Sequence, residues 1–222
     1  TSVLHSILAD VYYKYYRNNQ YRFRDRSRLS VINSDSITTW DLNTITEAIT
    51  NEYLRSIQNS TLLKSVPIES VKAILESSAD ENQPNPGKRT KKSSRTAEVC
   101  PTLYDFLCNR ALDFFSNSQG PQNQPPQWFS IDRPEFFAPS AAFSNLLNGP
   151  VAFPIRPLSY DSISTTEISF RIFQLLVDFH RNDKNPAALV TIELKRLAYV
   201  HDNAVFPSDS IYLEGLKQLE RT

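Results

Sequence analysis

Histidine is a common metal ligand and general base, cysteine is a metal ligand and a strong nucleophile, and this chain has three of the first and two of the second. The three histidines, His5, His180 and His201, are scattered, and none pairs with a second histidine or a cysteine at a spacing typical of a metal site. The four glycines are isolated, which excludes a glycine-rich loop that would cradle a phosphate. The sequence therefore predicts no metal site and no cofactor.

His180 stands between two aspartates, Asp178 and Asp183, and these three residues are the local candidates for catalytic groups. Residues two apart on a helix point to different faces, which argues against a joint role of Asp178 and His180. A histidine near the end of a helix is also favoured by the helix dipole. We therefore interpret His180 as a helix-end residue, and an enzyme with an unfamiliar site is the alternative.

The two cysteines, Cys100 and Cys108, are separated by about 12 Å if both lie on one helix. That distance excludes a disulfide between them. Neither stands in the Cys-x-x-Cys or similar context that is typical of a reactive thiol. We expect Cys108 to pack as a small apolar residue and Cys100 to be partly exposed.

The most unusual local feature is a run in which arginines alternate with aromatic residues, Tyr-Arg-Phe-Arg-Asp-Arg-Ser-Arg at residues 21–28. Such a run can bind nucleic acid, anchor a partner protein, or join two helices with its rings buried and its guanidinium groups in water. Its shortness and the neutral charge of the chain favour the connector, with a partner protein second. The candidate partner-facing residues are Tyr21, Arg22, Arg24 and Arg26.

Composition narrows the class of protein. The 222 residues include 24 Lys and Arg and 24 Asp and Glu, and this balance argues against nucleic acid as a partner, because phosphate binding needs an excess of basic residues. No run of apolar residues is long enough to cross a bilayer. Fourteen prolines against four glycines disfavour a β fold with tight hairpins and favour helices joined by proline-containing connectors.

Apolar residues recur at helical spacing in seven stretches. The first predicts an amphipathic helix over residues 2–18, and the second predicts a helix from about Trp40 to Gln58 with Thr38 or Thr39 as its N-cap. The remaining five helices are expected to begin near Pro67, Pro101, Ile168, Asn185-Pro186 and Ser208-Asp209.

Two stretches without helical spacing are expected to be loops. Residues from about 78 to 99 have almost no apolar side chains and predict a flexible loop, and the basic cluster within it is expected to be solvated. A long connector is expected at about 116–166, with apolar islands such as Phe136-Phe137 and Phe143 pinning it onto the helical body.

The expected fold is all-α, built from antiparallel helix pairs as a tetratricopeptide-like right-handed solenoid or an irregular bundle with two long loops. The last helices have the rhythm of tetratricopeptide pairs, although the consensus residues do not recur with a period of about 34 residues. We expect residues 1–222 to form a single helical domain. Because the chain begins without Met and ends within a helical pattern, we also expect it to be a fragment of a longer protein.

Five stretches together resemble the helical N-terminal region of the large alpha-2-macroglobulin family proteins of Bacteroidetes, in their order and their spacing. These stretches are Tyr-Arg-Phe-Arg-Asp-Arg-Ser at 21–27, Ile-Thr-Thr-Trp-Asp-Leu at 37–42, Pro-Thr-Leu-Tyr-Asp-Phe-Leu at 101–107 with Arg-Ala-Leu-Asp-Phe-Phe at 110–115, Phe-His-Arg-Asn-Asp-Lys-Asn-Pro at 179–186, and Tyr-Leu-Glu-Gly-Leu at 212–216. They are architectural rather than catalytic motifs.

The resemblance implies a protein of the periplasm or outer cell envelope, in which later β-sandwich domains and, in some members, a reactive thioester trap proteases. The thioester needs a glutamine three residues after its cysteine, whereas Cys100 is followed by Pro-Thr-Leu and Cys108 by Asn-Arg-Ala. The family's chemistry therefore falls on no residue of this chain.

We accordingly expect a non-enzymatic helical scaffold or protein-interaction domain that serves endopeptidase inhibition indirectly. Its expected partners are the remaining domains of the parent chain, or another protein or peptide, and not nucleic acid. The alternative is a stand-alone peptide-binding module with a tetratricopeptide-like fold.

Overall fold

A computed structural model describes residues 1–24, 36–71, 98–117, 129–146 and 164–221. These residues form α-helices and short 3-10 helices with no strand among them, which confirms the all-α class for the described part of the chain. Two isolated β-bridges join Pro67 to Thr102 and Ile131 to Ala204. Residues 78–97 of the expected loop, and residues 118–128 and 147–163 of the expected connector, lie outside the described residues.

The chain divides into two compact units. The described part of the first unit, residues 1–24 and 36–60, contains α1 (Ser2–Asn18), α2 (Gln20–Arg24), a 3-10 helix (Ile37–Thr39) and α3 (Leu42–Ile57). The described part of the second contains α4 (Ser60–Ser65), which starts at the boundary, α5 (Leu103–Asn117), a 3-10 helix (Pro134–Phe137), α6 (Ser140–Phe143), α7 (Thr165–His180), α8 (Ala187–Asn203) and α9 (Asp209–Glu220). That residues 1–222 form a single domain stays a prediction.

All seven predicted helices begin close to their expected positions. Their positions could be predicted because apolar residues recur in them with a clear helical period. The helix near Pro67 is seen over residues 68–71, where the described segment stops. The sequence did not predict α2, α4 and α6, which have 5, 6 and 4 residues. Helices this short hold too few turns to show a period.

The N-cap of α3 differs from the expectation of Thr38 or Thr39. Residues 37–39 form a 3-10 helix instead, in which the Thr39 hydroxyl donates back to the carbonyl of Ser36 at 2.8 Å. The α-helix therefore starts at Leu42, and Asp41 caps it by accepting the Thr44 N–H at 2.8 Å. A carboxylate satisfies the free amides of a first turn and suits the helix dipole.

Polar pairs join α1 to α3 in the first unit. His5 Nδ1 lies 2.6 Å from Glu52 Oε2, and the Tyr53 hydroxyl donates to Asp10 at 2.5 Å. Ala9, next to Asp10 in α1, is completely buried. The fully buried residues of α1 are thus the small Ser6 and Ala9, and polar pairs join this helix to α3.

Helix α7 lies at the centre of the second unit, in contact with α5, α6 and α8, while α8 also contacts α9. The part of the expected connector at residues 129–146 packs onto this body. The rings of Phe136 and Phe143, which are 1% and 0% exposed, each lie with their centroids 4.8 Å from that of Phe170 in α7. The expectation that these apolar islands pin the connector is confirmed.

A buried ion pair holds the same segment against α8. The Arg196 guanidinium donates to Glu193, to the carbonyl of Phe136 at 2.8 Å and to the carbonyl of Ala138 at 3.0 Å. Glu193 also accepts the Ser140 hydroxyl at 2.8 Å. Both charged side chains are almost fully buried, and these partners compensate for the water they have lost.

Candidate functional site

His180 lies in a buried cluster with two carboxylates. Its Nε2–H donates to Asp105 Oδ1 at 2.6 Å, and its Nδ1–H donates to Asp183 Oδ2 at 2.7 Å. The His180 and Asp105 side chains are each 1% exposed, while that of Asp183 is 41% exposed. Of the predicted candidates, His180 and Asp183 therefore meet, whereas Asp178 is largely exposed and pairs with Arg181 at 3.3 Å.

Helix ends position the three members of this cluster. Asp105 lies in the first turn of α5, where its Oδ2 accepts the N–H and the hydroxyl of Thr102 at 2.9 and 2.7 Å. This capping arrangement leaves Oδ1 free to accept from His180, the last residue of α7. Asp183 follows in the turn after that helix. The cluster therefore ties the start of α5 to the end of α7.

The electrostatics of the cluster favour the charged form of the imidazole. Burial opposes the cation, but the hydrogen bonds and charges of Asp105, and then of Asp183, outweigh it and raise the pKa of His180. An imidazolium that donates from both nitrogens has no lone pair with which to take a proton from a nucleophile. The arrangement therefore acts as a clamp between helices and not as a general base.

A pocket of about 520 Å³ lies beside the cluster, and three of its seven lining residues are acidic. Its charged groups are the carboxylates of Glu69, Glu98 and Asp183 and the ammonium of Lys184. No group of three or more potential metal ligands occurs among the described residues. The pocket brings no imidazole, thiol or metal site to a ligand.

His201 contacts a serine and an aspartate, the residue types of a hydrolase triad. Its Nδ1 lies 2.8 Å from the Ser208 hydroxyl, its Nε2 lies 3.5 Å from Asp209, and its ring stacks on Tyr212 with centroids 4.5 Å apart. A nucleophilic serine must reach a substrate, but Ser208 is 4% exposed. These contacts instead hold the start of α9 against the end of α8.

Both cysteines are free, as expected. Cys108 is completely buried in α5 and Cys100, just before that helix, is partly exposed, so both predicted exposures are confirmed. Burial raises the pKa of Cys100 to about 12, and it also raises the pKa of Cys108. Because only a thiolate is a strong nucleophile, neither residue suits covalent catalysis.

The arginine and aromatic run begins inside α2. Tyr21 is 61% exposed, and the exposed Arg22 guanidinium lies 5.7 Å from the Tyr21 ring. Phe23 is buried and packs edge-on against Tyr16 at 5.6 Å. The connector interpretation thus holds for Phe23 and Arg22 but not for the Tyr21 ring.

The other candidate partner-facing residues are Arg24, which ends α2, and Arg26, which lies outside the described residues. That Tyr21, Arg22, Arg24 and Arg26 face a partner stays a prediction.

The surface of α1 carries a feature that the sequence alone did not reveal. Four apolar side chains form a stripe along one face of α1 and are exposed, and we name this set the α1 stripe: Leu4 (68%), Ile7 (48%), Leu8 (37%) and Val11 (52%). An apolar stripe on a helix ordinarily faces the core. Here the buried residues of α1 are Ser6 and Ala9, on another face. The predicted helix is confirmed, but its apolar stripe points into water.

The spacing within the α1 stripe makes it continuous. Leu4, Ile7, Leu8 and Val11 follow the i, i+3, i+4, i+7 pattern, so their side chains line up over about 10 Å of helix. Single exposed apolar residues are ordinary on protein surfaces, whereas large contiguous apolar patches are typical of interaction sites.

Among the helices of the described segments, none combines the length and apolar character needed to cross a lipid bilayer. Comparison with protein-family models, with curated proteins and with solved structures found no match to this chain.

Proposed function

We propose that this chain is a non-enzymatic helical interaction module that docks a partner protein on the α1 stripe. The observation that carries the proposal is the inverted burial of α1, in which Ser6 and Ala9 are buried while four apolar side chains face water. Fully burying one such side chain contributes about 1.5–3 kcal/mol, and a part-exposed one contributes less. Covering the stripe is therefore strongly favourable for a protein partner.

The chemistry of the described residues supports the non-enzymatic part of the proposal. Two carboxylates accept hydrogen bonds from His180 and raise its pKa, and burial raises the pKa of the thiols of Cys100 and Cys108. Ser208 is buried beneath its contact with His201. These described histidine, cysteine and serine side chains are thus engaged in packing or at a helix end.

A second candidate is a stand-alone peptide-binding module with a tetratricopeptide-like solenoid. It is favoured by the succession of α7, α8 and α9, in which each helix contacts the next. A Cβ at Gly215 of α9 would lie 3.1 Å from the Leu197 side chain of α8, which is tighter than ordinary van der Waals contact. The glycine therefore lets these two helices pack closely, as neighbouring helices do in helical repeats.

Membership of a specific parent protein is also a proposal, and only the sequence motifs support it. In this view the chain is the helical region of an alpha-2-macroglobulin-like protein of the periplasm or outer envelope, and it serves endopeptidase inhibition indirectly by positioning the other domains. The coding sequence downstream of Thr222 tests this parentage. Macroglobulin-type β-sandwich domains are the expected finding, and an unrelated domain or a stop codon would remove the proposal.

Binding of a neutral amphipathic helical peptide, with leucines on one face and glutamines on the other, tests the docking function. The stripe variant is Ile7→Gln with Leu8→Gln, and the matched control is Leu213→Gln, which alters a 52% exposed leucine on α9. We expect saturable binding to the wild type and to the control, and binding at least about tenfold weaker to the stripe variant. Absence of binding, or equal binding to all three proteins, would remove the docking function.

The absence of catalysis has its own test. We expect no turnover when the wild-type chain is incubated with peptide and glycan substrates at physiological enzyme concentrations. Turnover that is lost in a His180→Gln or Ser208→Ala variant would show that the chain is an enzyme.

A further inference from the structure

We infer that the partner of the α1 stripe is an amphipathic helix with acidic residues at the end that lies over the C-terminal half of α1. This inference rests on the proposed docking function and adds the chemistry and the orientation of the partner. It is carried by the distribution of charge along α1 and α2.

The N-terminal half of α1 is apolar on its exposed face, and its C-terminal half is basic. Lys14 follows Val11 by three residues and thus continues the α1 stripe on the same face. Arg17 lies in the last turn, and Arg22 follows in α2. All three cations are exposed.

Within residues 2–24, acidic groups do not balance these cations. Residues 2–24 contain four cations, Lys14, Arg17, Arg22 and Arg24, against the single carboxylate of Asp10. Asp10 accepts the Tyr53 hydroxyl at 2.5 Å and so belongs to the contact with α3. Among the described residues, no carboxylate lies within ion-pair distance of Lys14, Arg17 or Arg22. A partner with acidic residues at this end would complement the charge.

The shape of the α1 stripe favours a helix over an anionic membrane surface. Leu4, Ile7, Leu8 and Val11 follow the i, i+3, i+4, i+7 spacing of a helix face that packs on another helix, and Lys14 continues the same face with a cation. Helices that lie on membranes instead carry their Lys and Arg on the face opposite the apolar one. Tyr15, which also falls on this face, is half-buried. The α1 stripe therefore fits one helix laid along α1, with its acidic end over Lys14.

Three peptides with the same leucine face test the inference, ending in four glutamates, four glutamines or four lysines. Each is titrated into the wild type, into Lys14→Glu and into Lys217→Glu, a matched charge reversal at an exposed lysine of α9. We expect the wild type and Lys217→Glu to bind the acidic peptide about tenfold more tightly than the neutral one. In Lys14→Glu this ratio of affinities should fall by about fivefold or more. Added salt should weaken the preference, because the charges are exposed.

The outcomes separate the inference from the proposed function. If the neutral peptide binds to the α1 stripe and the acidic peptide binds no more tightly, the docking function stands and the inference is overturned. If no peptide binds, both are overturned. If phosphatidylglycerol vesicles bind through Ile7 and Leu8 and the peptides do not, the partner is a membrane surface, and the inference is again overturned.

Discussion

Replacing His180 with alanine removes the cation that bridges Asp105 and Asp183. Asp105 then keeps its bonds from Thr102 but loses a charged partner 2.6 Å away in a site where the carboxylate is 1% exposed. Breaking a buried pair by removing one partner costs about 3–5 kcal/mol, since the other charge is left without compensation. The half-exposed contact to Asp183 adds about 1 kcal/mol or less.

We therefore expect His180→Ala to lower the free energy of unfolding by about 4 kcal/mol, a large share of the 5–15 kcal/mol that is typical of a folded protein. Urea unfolding followed by far-ultraviolet circular dichroism measures this change. The matched control is Asp178→Asn, on the same helix and in an exposed pair with Arg181, which should cost no more than about 1 kcal/mol. A loss for His180→Ala as small as that for the control would refute the clamp.

The pH dependence of stability gives the clamp an independent signature. The pKa of His180 is raised above its ordinary value of 6.5, so the folded chain binds this proton more tightly than the unfolded chain does. The stabilisation is therefore complete below about pH 6.5 and is lost as the pH rises through the higher folded pKa. His180→Ala should flatten this fall, and an unchanged pH profile in the variant would contradict the argument.

Three further predictions follow from burial. Arg196→Met should cost about 3–5 kcal/mol in urea unfolding, because it leaves Glu193 buried without its cation; a change below about 1 kcal/mol would show that the ion pair does not hold the segment. Ala9→Leu should cost about 1–3 kcal/mol, since the added atoms have no room against α3, and a stabilised variant would contradict the packing of α1. Cys100 should react with iodoacetamide at pH 8 at least about a hundredfold more slowly than free cysteine, because its pKa is raised to about 12, and a rate like that of free cysteine would show the thiol to be exposed.

The positions of the long helices could be predicted because burial on one face leaves a period in the sequence. The first residue of each helix was harder to predict, as the N-cap of α3 shows. Hydroxyls at Thr38 and Thr39 and a carboxylate at Asp41 are all good caps, and only the 3-10 helix over residues 37–39 decides between them.

The direction in which an amphipathic helix faces is harder to predict than its existence. The pattern of Leu4, Ile7, Leu8 and Val11 defines a face, but it does not say what covers that face. Ala9 is buried instead, and polar pairs from His5 and Asp10 hold α1 against α3. These contacts involve residues more than 40 positions away and leave no local signal.

The histidine cluster also depends on contacts between distant residues, which the sequence does not reveal. The sequence placed His180 at the end of a helix and Asp183 near it, but its buried partner Asp105 lies 75 positions earlier in the chain. The Thr-x-x-Asp pattern at residues 102–105 is a recognisable helix start. Nothing local indicates that the second oxygen of Asp105 accepts from an imidazole, since that requires α5 and α7 to pack together.

An NMR titration tests the central claim, that α1 docks a partner through its exposed apolar face, most directly. The nitrogen-15-labelled chain is titrated with the neutral amphipathic peptide, and the amide shifts are followed residue by residue. We predict that the shifts cluster along residues 4–11 and are absent from the Ile7→Gln, Leu8→Gln variant. Shifts centred on α7, α8 and α9, or no shifts at saturating peptide, would contradict the claim.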